Sequence, residues 1–405
     1  MHLKYTIIGL LLACSSPSSP EPDKEGEAAP SGEDSDVADS GGGPADSGSA
    51  DSGSADSGSA DSGSADSGAA DSGAADTGAS DTGGTEDSAH AEAEEMASAA
   101  QAFLDSLDAE QRDAVQFDLS DPERSAWSNL PHSVRPRLGL SFGGMTEAQE
   151  EAAWALIRAG LSAAGEQRAT EIMWVEQLLW DGGDEAAVPH DYFFTIFDAP
   201  SAESPWAWQL DGHHLAINIT MVGHEATIAP SLWGVSPSVW PEGEYAGLRP
   251  MQAEEELAFE WIASLDPDQL ALAMVPGPED PRLRAGPDSD PALWPDPAGI
   301  PTTSLNESQR AALLALVEVY VGNLVEGQAA HRMAEIEASF SDVSVAWMGS
   351  TTPGESMYYR IQGSGVLVEF DHTSSVGHIH AVLRDPANEY GRDWLAEHLG
   401  SFHAH

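Results

Sequence analysis

The chain has 405 residues, with 68 acidic against 16 basic side chains and a formal net charge of -52. That balance argues against nucleic acid and anionic lipid headgroups as partners, because both need clustered cations to neutralise phosphate. A single cysteine, Cys14, rules out an internal disulfide framework and leaves no thiol nucleophile further along the chain.

Met1, His2 and Lys4 precede an apolar run from Ile7 to Ala13. The run is too short to span a bilayer as a mature helix, so residues 1–14 are expected to be an export signal. Leu11, Leu12, Ala13 and Cys14 resemble the bacterial lipobox, in which the cysteine is lipidated and becomes the first mature residue. Ser15 and Ser16 follow with no aspartate, which in that resemblance implies release to the outer membrane. The expected membrane contact is therefore a lipid anchor on Cys14, and the expected location is the outer membrane, at its periplasmic face or the cell surface.

Residues 15–95 are dominated by Ser, Gly, Ala, Asp, Pro and Glu, with "ADSGS" repeated and then varied to "ADSGA" and "ADTGA". Such a stretch cannot bury enough apolar surface to offset its ordering entropy and is expected to be a disordered acidic tether. Both lysines, Lys4 and Lys24, precede the folded part, so every base beyond them is an arginine.

Residues 96–405 are long enough for one large domain with a real core. An internal repeat organises them. "FLDSLDAEQ" (103–111) parallels "WIASLDPDQ" (261–269), and "MTEAQEEAAWALI" (145–157) parallels "LNESQRAALLALV" (305–317). Asp108, Thr146, Asp266 and Asn306 can each cap a helix whose third residue, Gln111, Gln149, Gln269 or Gln309, completes a capping box. Apolar residues then recur at helical spacing, as in Ala153, Leu156, Ile157 and Leu161.

Strands follow the helices in each repeat. They are expected over 192–197, 206–210, 214–221 and 226–228, then over 343–348, 357–362, 366–370 and 378–383. "WQLDGHHLAINITMVGH" (208–224) lies against "YRIQGSGVLVEFDHTSSVGH" (359–378), each ending in Val-Gly-His. The expected fold is α+β, with two similar halves, about 96–245 and 250–405, related by a pseudo-twofold axis. Each half is helices followed by an antiparallel meander.

In the last expected strand, His378, His380, Val382 and Arg384 share one face, and Ile379, Ala381 and Leu383 share the other, apolar one. Two imidazoles at i and i+2 can ligate one metal ion. Further ligands could come from His372, or from His213 and His214 in the other half. On a strand those two would point to opposite faces, so only one of them is expected to reach a shared site. Arg384 is expected on the rim holding an anionic group, with Glu369 or Asp371 as base or as support for a ligand.

Several common catalytic signatures are missing. There is no glycine-rich phosphate loop followed by lysine, no His-Glu-x-x-His and no Gly-x-Ser-x-Gly.

"YFFTIFDAPSAESPWAWQLDGHHLAINIT", "TIAPSLWG", "YYRIQGSGVLVEFDH" and "HIHAVLRDPANEYG" together resemble the bacterial and fungal family catalogued as domain of unknown function 3500. The likeness covers nearly everything from about residue 100 to 400. Its Gly-His-His-Leu and His-Ile-His motifs fall on Gly212 to Leu215 and His378 to His380, and its Arg and Tyr-Gly on Arg384, Tyr390 and Gly391. Members usually carry aspartate before that tyrosine, where this chain has Glu389. The resemblance implies a fold-sized unit and a set of positions, not a reaction.

Three functions fit these residues. One is a tethered metal-dependent enzyme using a transition metal (zinc, copper or iron) on a small molecule. Another is a lipoprotein that binds a metal or small ligand without catalysis. The third is a structural His/Arg network joining the halves.

Overall fold

Side chains at all four expected helix starts engage the backbone as the capping-box pattern requires, in a computed structural model that describes residues 83–184, 187–277, 282–373 and 375–402. Asp108, Asp266 and Asn306 each accept from the backbone of the following turn. Gln111, Gln149, Gln269 and Gln309 each accept the cap residue's own N–H. The glutamines also exchange amide hydrogen bonds in pairs, Gln149 with Gln111 at 2.7 Å and Gln309 with Gln269 at 2.7 Å. Each cap thus ties a short helix to the long one packed beside it.

In chain order the described residues form α1 (Gly83–Ser106), α2 (Ala109–Val115), β1 (Gln116–Phe117), β2 (Leu140–Ser141), α3 (Glu147–Gly160), α4 (Ala163–Asp181) and β3 (Phe193–Phe197). Next come β4 (Trp206–Gly212), β5 (Leu215–Val222), β6 (Glu225–Thr227), β7 (Ser231–Val235), α5 (Gln252–Ala263), α6 (Pro267–Ala273), β8 (Ile300–Pro301), α7 (Glu307–Val321) and α8 (Glu326–Ala338). The remainder are β9 (Ser344–Gly349), β10 (Met357–Gln362), β11 (Leu367–His372), β12 (Ile379–Arg384) and α9 (Arg392–Phe402). The fold class is α+β.

The folded part reaches back beyond the boundary expected at residue 96. α1 buries Ala93, Met96, Ala97, Ala100 and Leu104, which lie at helical spacing along one stripe. The expected signal peptide, Cys14 and most of the tether lie outside the described residues. Among the described residues no helix is long and apolar enough to cross a membrane.

All the strands belong to one sheet, in the order β1-β3-β4-β5-β7-β12-β11-β10-β9-β8, with β2 paired to β3 and β6 to β5. Pairing is antiparallel throughout except between β1 and β3. Strands from residues 116–235 and strands from 300–384 meet at one seam, where β7 pairs with β12 and Ile379 faces Val235. β7 has no counterpart among the expected strands. Pro230, Gly234 and Pro237 punctuate that stretch like a loop.

One face of the sheet carries the main core. Ile217, Trp233, Ile379, Ala381, Val368 and Phe370 pack there beneath the helices. The other face carries a smaller cluster. There Trp127, Ala285, Leu283, Trp294 and Tyr390 pack on Ala216, Leu232, Leu367 and Val382. His378 and His380 emerge on this second face.

Candidate metal centre

β4 ends at Gly212, where the Tyr192 ring lies against the backbone and leaves no room for a side chain. The chain then turns through His213 and His214 into β5. His214 sits in the left-handed region at φ 62°, a conformation that costs a non-glycine residue about 1 kcal/mol or more. Two contacts hold the turn: His214 N donates to Asn129 O at 3.1 Å, and Tyr192 Oη donates to His213 O at 3.1 Å. The strand rule that would send adjacent side chains to opposite faces therefore does not apply. The two imidazoles stack, with centroids 3.9 Å apart and planes 23° apart.

His214 and the pair on β12 converge across the seam. His214 Nε2 lies 3.0 Å from His378 Nε2, and the His214 and His380 ring centroids are 5.3 Å apart. Gly234 on β7 lies opposite His380 and makes the space for both rings. A Cβ there would stand 2.8 Å from His380 Cδ2 and 3.4 Å from His214 Cδ2. Ligand atoms of His214, His378 and His380 all lie within 4.8 Å of one another.

Hydrogen bonding fixes the His380 tautomer. Thr373 Oγ1 donates to Asp371 Oδ1 at 2.6 Å, so His380 Nδ1–H is the donor to Thr373 Oγ1 at 2.9 Å. Its Nε2 then carries the lone pair, which accepts from Asn129 Nδ2 at 3.2 Å. Asp371 is thus a positioning residue acting through Thr373, and Leu283 N donates to its other oxygen at 2.7 Å. Burial pushes the Asp371 carboxyl up to about 6.

Burial also keeps the imidazoles neutral and available as ligands. It pushes His214 down to about 4, with Glu176 opposing and His213 and His378 assisting. His380 is held well below the usual range by burial and by its neighbours His214, His378 and His213, with Arg282 adding to the effect. His378 is lowered in the same sense by burial, His213 and Arg282. The half-buried His378 forms the outer edge of the cluster.

On the inner side stands Glu176 of α4, which is 1% exposed. Its Oε1 is 2.7 Å from His213 Nδ1 and 3.5 Å from His214 Nδ1. Burial pushes this carboxyl up, but the two adjoining imidazoles outweigh it and hold it at about 2. Glu176, Asn129, Thr373 and Gly234 were not anticipated from sequence. None lies in a motif with a chemical signature, and all four meet the histidines only through tertiary packing.

Three expected site residues fall elsewhere, for identifiable reasons. His372 lies on the opposite face of the sheet, where its Nδ1 accepts from Met357 N at 3.1 Å and its Nε2 is 3.4 Å from Glu255 Oε1, so it is not a ligand of this cluster. Glu369 is fully buried and engaged. Its Oε2 accepts from Arg284 N and Ala285 N at 2.8 and 2.7 Å, and Tyr358 Oη donates to its Oε1. It clamps the 284–285 backbone onto the sheet and is not a free base. Arg384 is not on a rim: it is 4% exposed, its Nε lies 2.7 Å from Glu389 Oε1, and its guanidinium packs over Trp294 at 4.7 Å and Trp127 at 5.4 Å.

Fold and site together define an α+β domain with a buried histidine cluster able to hold a metal ion. Residues 89–392 match the family model described as protein of unknown function (DUF3500), and the chain belongs to that family. No curated protein and no solved structure matches it.

Proposed function

We propose that this protein binds a transition-metal ion through His214, His378 and His380 and uses it to act on a small molecule. The convergence of the three rings, with their ligand atoms within 4.8 Å of one another, carries this reading. Two ligands on a tetrahedral ion with metal–nitrogen bonds of 2.0–2.1 Å lie roughly 3.3 Å apart, so the 3.0 Å between His214 and His378 needs only a slight opening. All-imidazole ligation suits zinc, with copper and iron as the other candidates. Three protein ligands leave a fourth position for water or a ligand, and the half-buried His378 puts that position on the outward side. A bound ion there would supply Lewis acidity. Thr373 and Asp371 hold the His380 ring.

The test is metal content. Protein purified without a histidine tag should carry or take up zinc, and a His378→Ala/His380→Ala double variant should lose the equivalent held by this cluster. Turnover of a substrate would separate the enzyme from a metal- or ligand-binding lipoprotein. A second reading, a structural hydrogen-bonded network, is favoured by the direct His214–His378 and Asn129–His380 contacts. It requires that no metal bind.

The same reading makes the domain a surface-tethered lipoprotein at the outer membrane, anchored by Cys14 and held off by the acidic segment. The lipobox at Leu11–Cys14 supports it. A Cys14→Ser variant should leave the membrane fraction on cell fractionation, and one that still sediments with membranes would refute the anchor. A pseudo-twofold duplication of the two halves belongs to this proposal as well. Its support is the recurrence of paired capping-box glutamines, 111 with 149 and 269 with 309, and the antiparallel β7–β12 seam.

A further inference from the structure

Behind the three-histidine cluster, two buried polar atoms of an imidazole and a carboxylate lie against each other. His213 Nδ1 and Glu176 Oε1 are 2.7 Å apart, a separation that serves an ion pair with a protonated ring or two ligand atoms on one ion. The other Glu176 oxygen, Oε2, is already anchored, accepting from Val188 N at 3.3 Å. His214 presents its own Nδ1 3.5 Å from the same Oε1, while its Nε2 faces His378. Ligand atoms of Glu176, His213 and His214 lie within 4.8 Å of one another.

We propose that Glu176, His213 and His214 form a second metal site, joined to the first through the His214 ring. Two imidazoles and one carboxylate suit a divalent transition ion of the zinc class. The stacking of His213 on His214 places both Nδ1 atoms beside the carboxylate, which the left-handed turn at His214 makes possible. The centre would then hold two ions with one imidazole between them, the His214 N–H proton leaving to solvent as the second nitrogen becomes a ligand. The inference rests on the first site only through His214, because Glu176 and His213 belong to neither that cluster nor its hydrogen bonds.

The experiment is stoichiometry. Untagged full-length protein, stripped with a chelator and dialysed, is titrated with zinc chloride by calorimetry, and bound metal is counted after gel filtration. The wild type should bind two equivalents. Glu176→Gln and His213→Ala should each bind one, as should the His378→Ala/His380→Ala double variant. His214→Asn, which keeps a residue tolerant of the left-handed turn, should bind none. His213→Gln, closer in size to histidine, serves if His213→Ala fails to fold, with thermal melts reporting folding for every variant. A wild type that binds one equivalent, lost in the His378/His380 variant and kept in Glu176→Gln and His213→Ala, overturns the second site and leaves the first standing. One equivalent lost only in Glu176→Gln and His213→Ala keeps the second site and sinks the first. A wild type that binds none overturns both, and a His214→Asn variant that keeps either equivalent overturns the shared ring.

Discussion

His378 Nε2 lies 3.0 Å from His214 Nε2 across 164 residues of sequence, brought there by the pairing of β7 with β12. Without metal, one ring must donate its N–H to the other; with metal, both turn lone pairs to the ion. Ligand that binds only the folded state stabilises it by about 2.7 kcal/mol at a hundred times its Kd. Zinc should therefore raise the melting temperature of the wild type by several degrees. The His378→Ala/His380→Ala variant should show a clearly smaller shift in calorimetric scans with and without zinc, because only the Glu176, His213 and His214 cluster is left to hold the ion. Equal shifts in both proteins would move the metal elsewhere.

Glu369 separates a clamp from a catalytic base. Its removal would leave the Arg284 and Ala285 N–H groups without their acceptor and Tyr358 without its own. Glu369→Ala should destabilise the fold by about 2–4 kcal/mol in urea unfolding. Zinc affinity should change less than about threefold, since Glu369 touches none of the ligands. A stable variant with tenfold weaker zinc binding would restore the role expected from its position in the strand.

The contrast with His378 and His380 shows which parts of this site the sequence could carry. Period two along 378–384 is a local rule, so those residues' shared face was legible, and so were the four capping boxes and the α+β class. Strand alternation failed at His213 and His214 because they form a turn, and a left-handed φ has no signature at a histidine. Alternation does hold at His372: one residue on from Asp371, it faces the helices and away from the cluster. Arg384 has the right parity, but four residues of extended strand carry it into a tryptophan sandwich. Partners such as Glu176 come from another element altogether, and no spacing within the chain encodes that meeting.

Glu389 supplies a pH dependence with a definite sign. Burial pushes its carboxyl from 4.5 up to about 7, against the pull of Arg384 and Arg392. A group whose pKa is raised by folding gives stability that is complete below its unfolded value and is lost as pH rises through the folded one. Relative to Glu389→Gln, the wild type should therefore lose up to about 3 kcal/mol between pH 4.5 and 7.5, at 1.36 kcal/mol per unit. Chemical denaturation of both proteins across that range reads the difference directly. A flat difference would mean that the Arg384 pair keeps Glu389 ionised in the folded state throughout.

Gly234 tests whether the space around the two rings is specific to them. Glycine in a strand is ordinarily a weak point, and alanine in its place commonly adds a few tenths to about 1 kcal/mol of stability. Here the added Cβ would lie 2.8 Å from His380 Cδ2 and 2.9 Å from Ile379 O, inside any normal contact, and the second of these is backbone that cannot swing aside. Overpacking of this kind costs about 1–3 kcal/mol. Relief is available only by pushing the His380 ring outward or opening the β7–β12 pairing. Either motion pulls Nε2 of His380 away from its place beside His214 and His378. Gly234→Ala should thus lower stability and weaken zinc binding by about tenfold or more, a loss of about 1.4 kcal/mol. Both readings come from one titration and one melt, and a variant that is more stable than the wild type with unchanged zinc affinity would show that the rings do not need the gap.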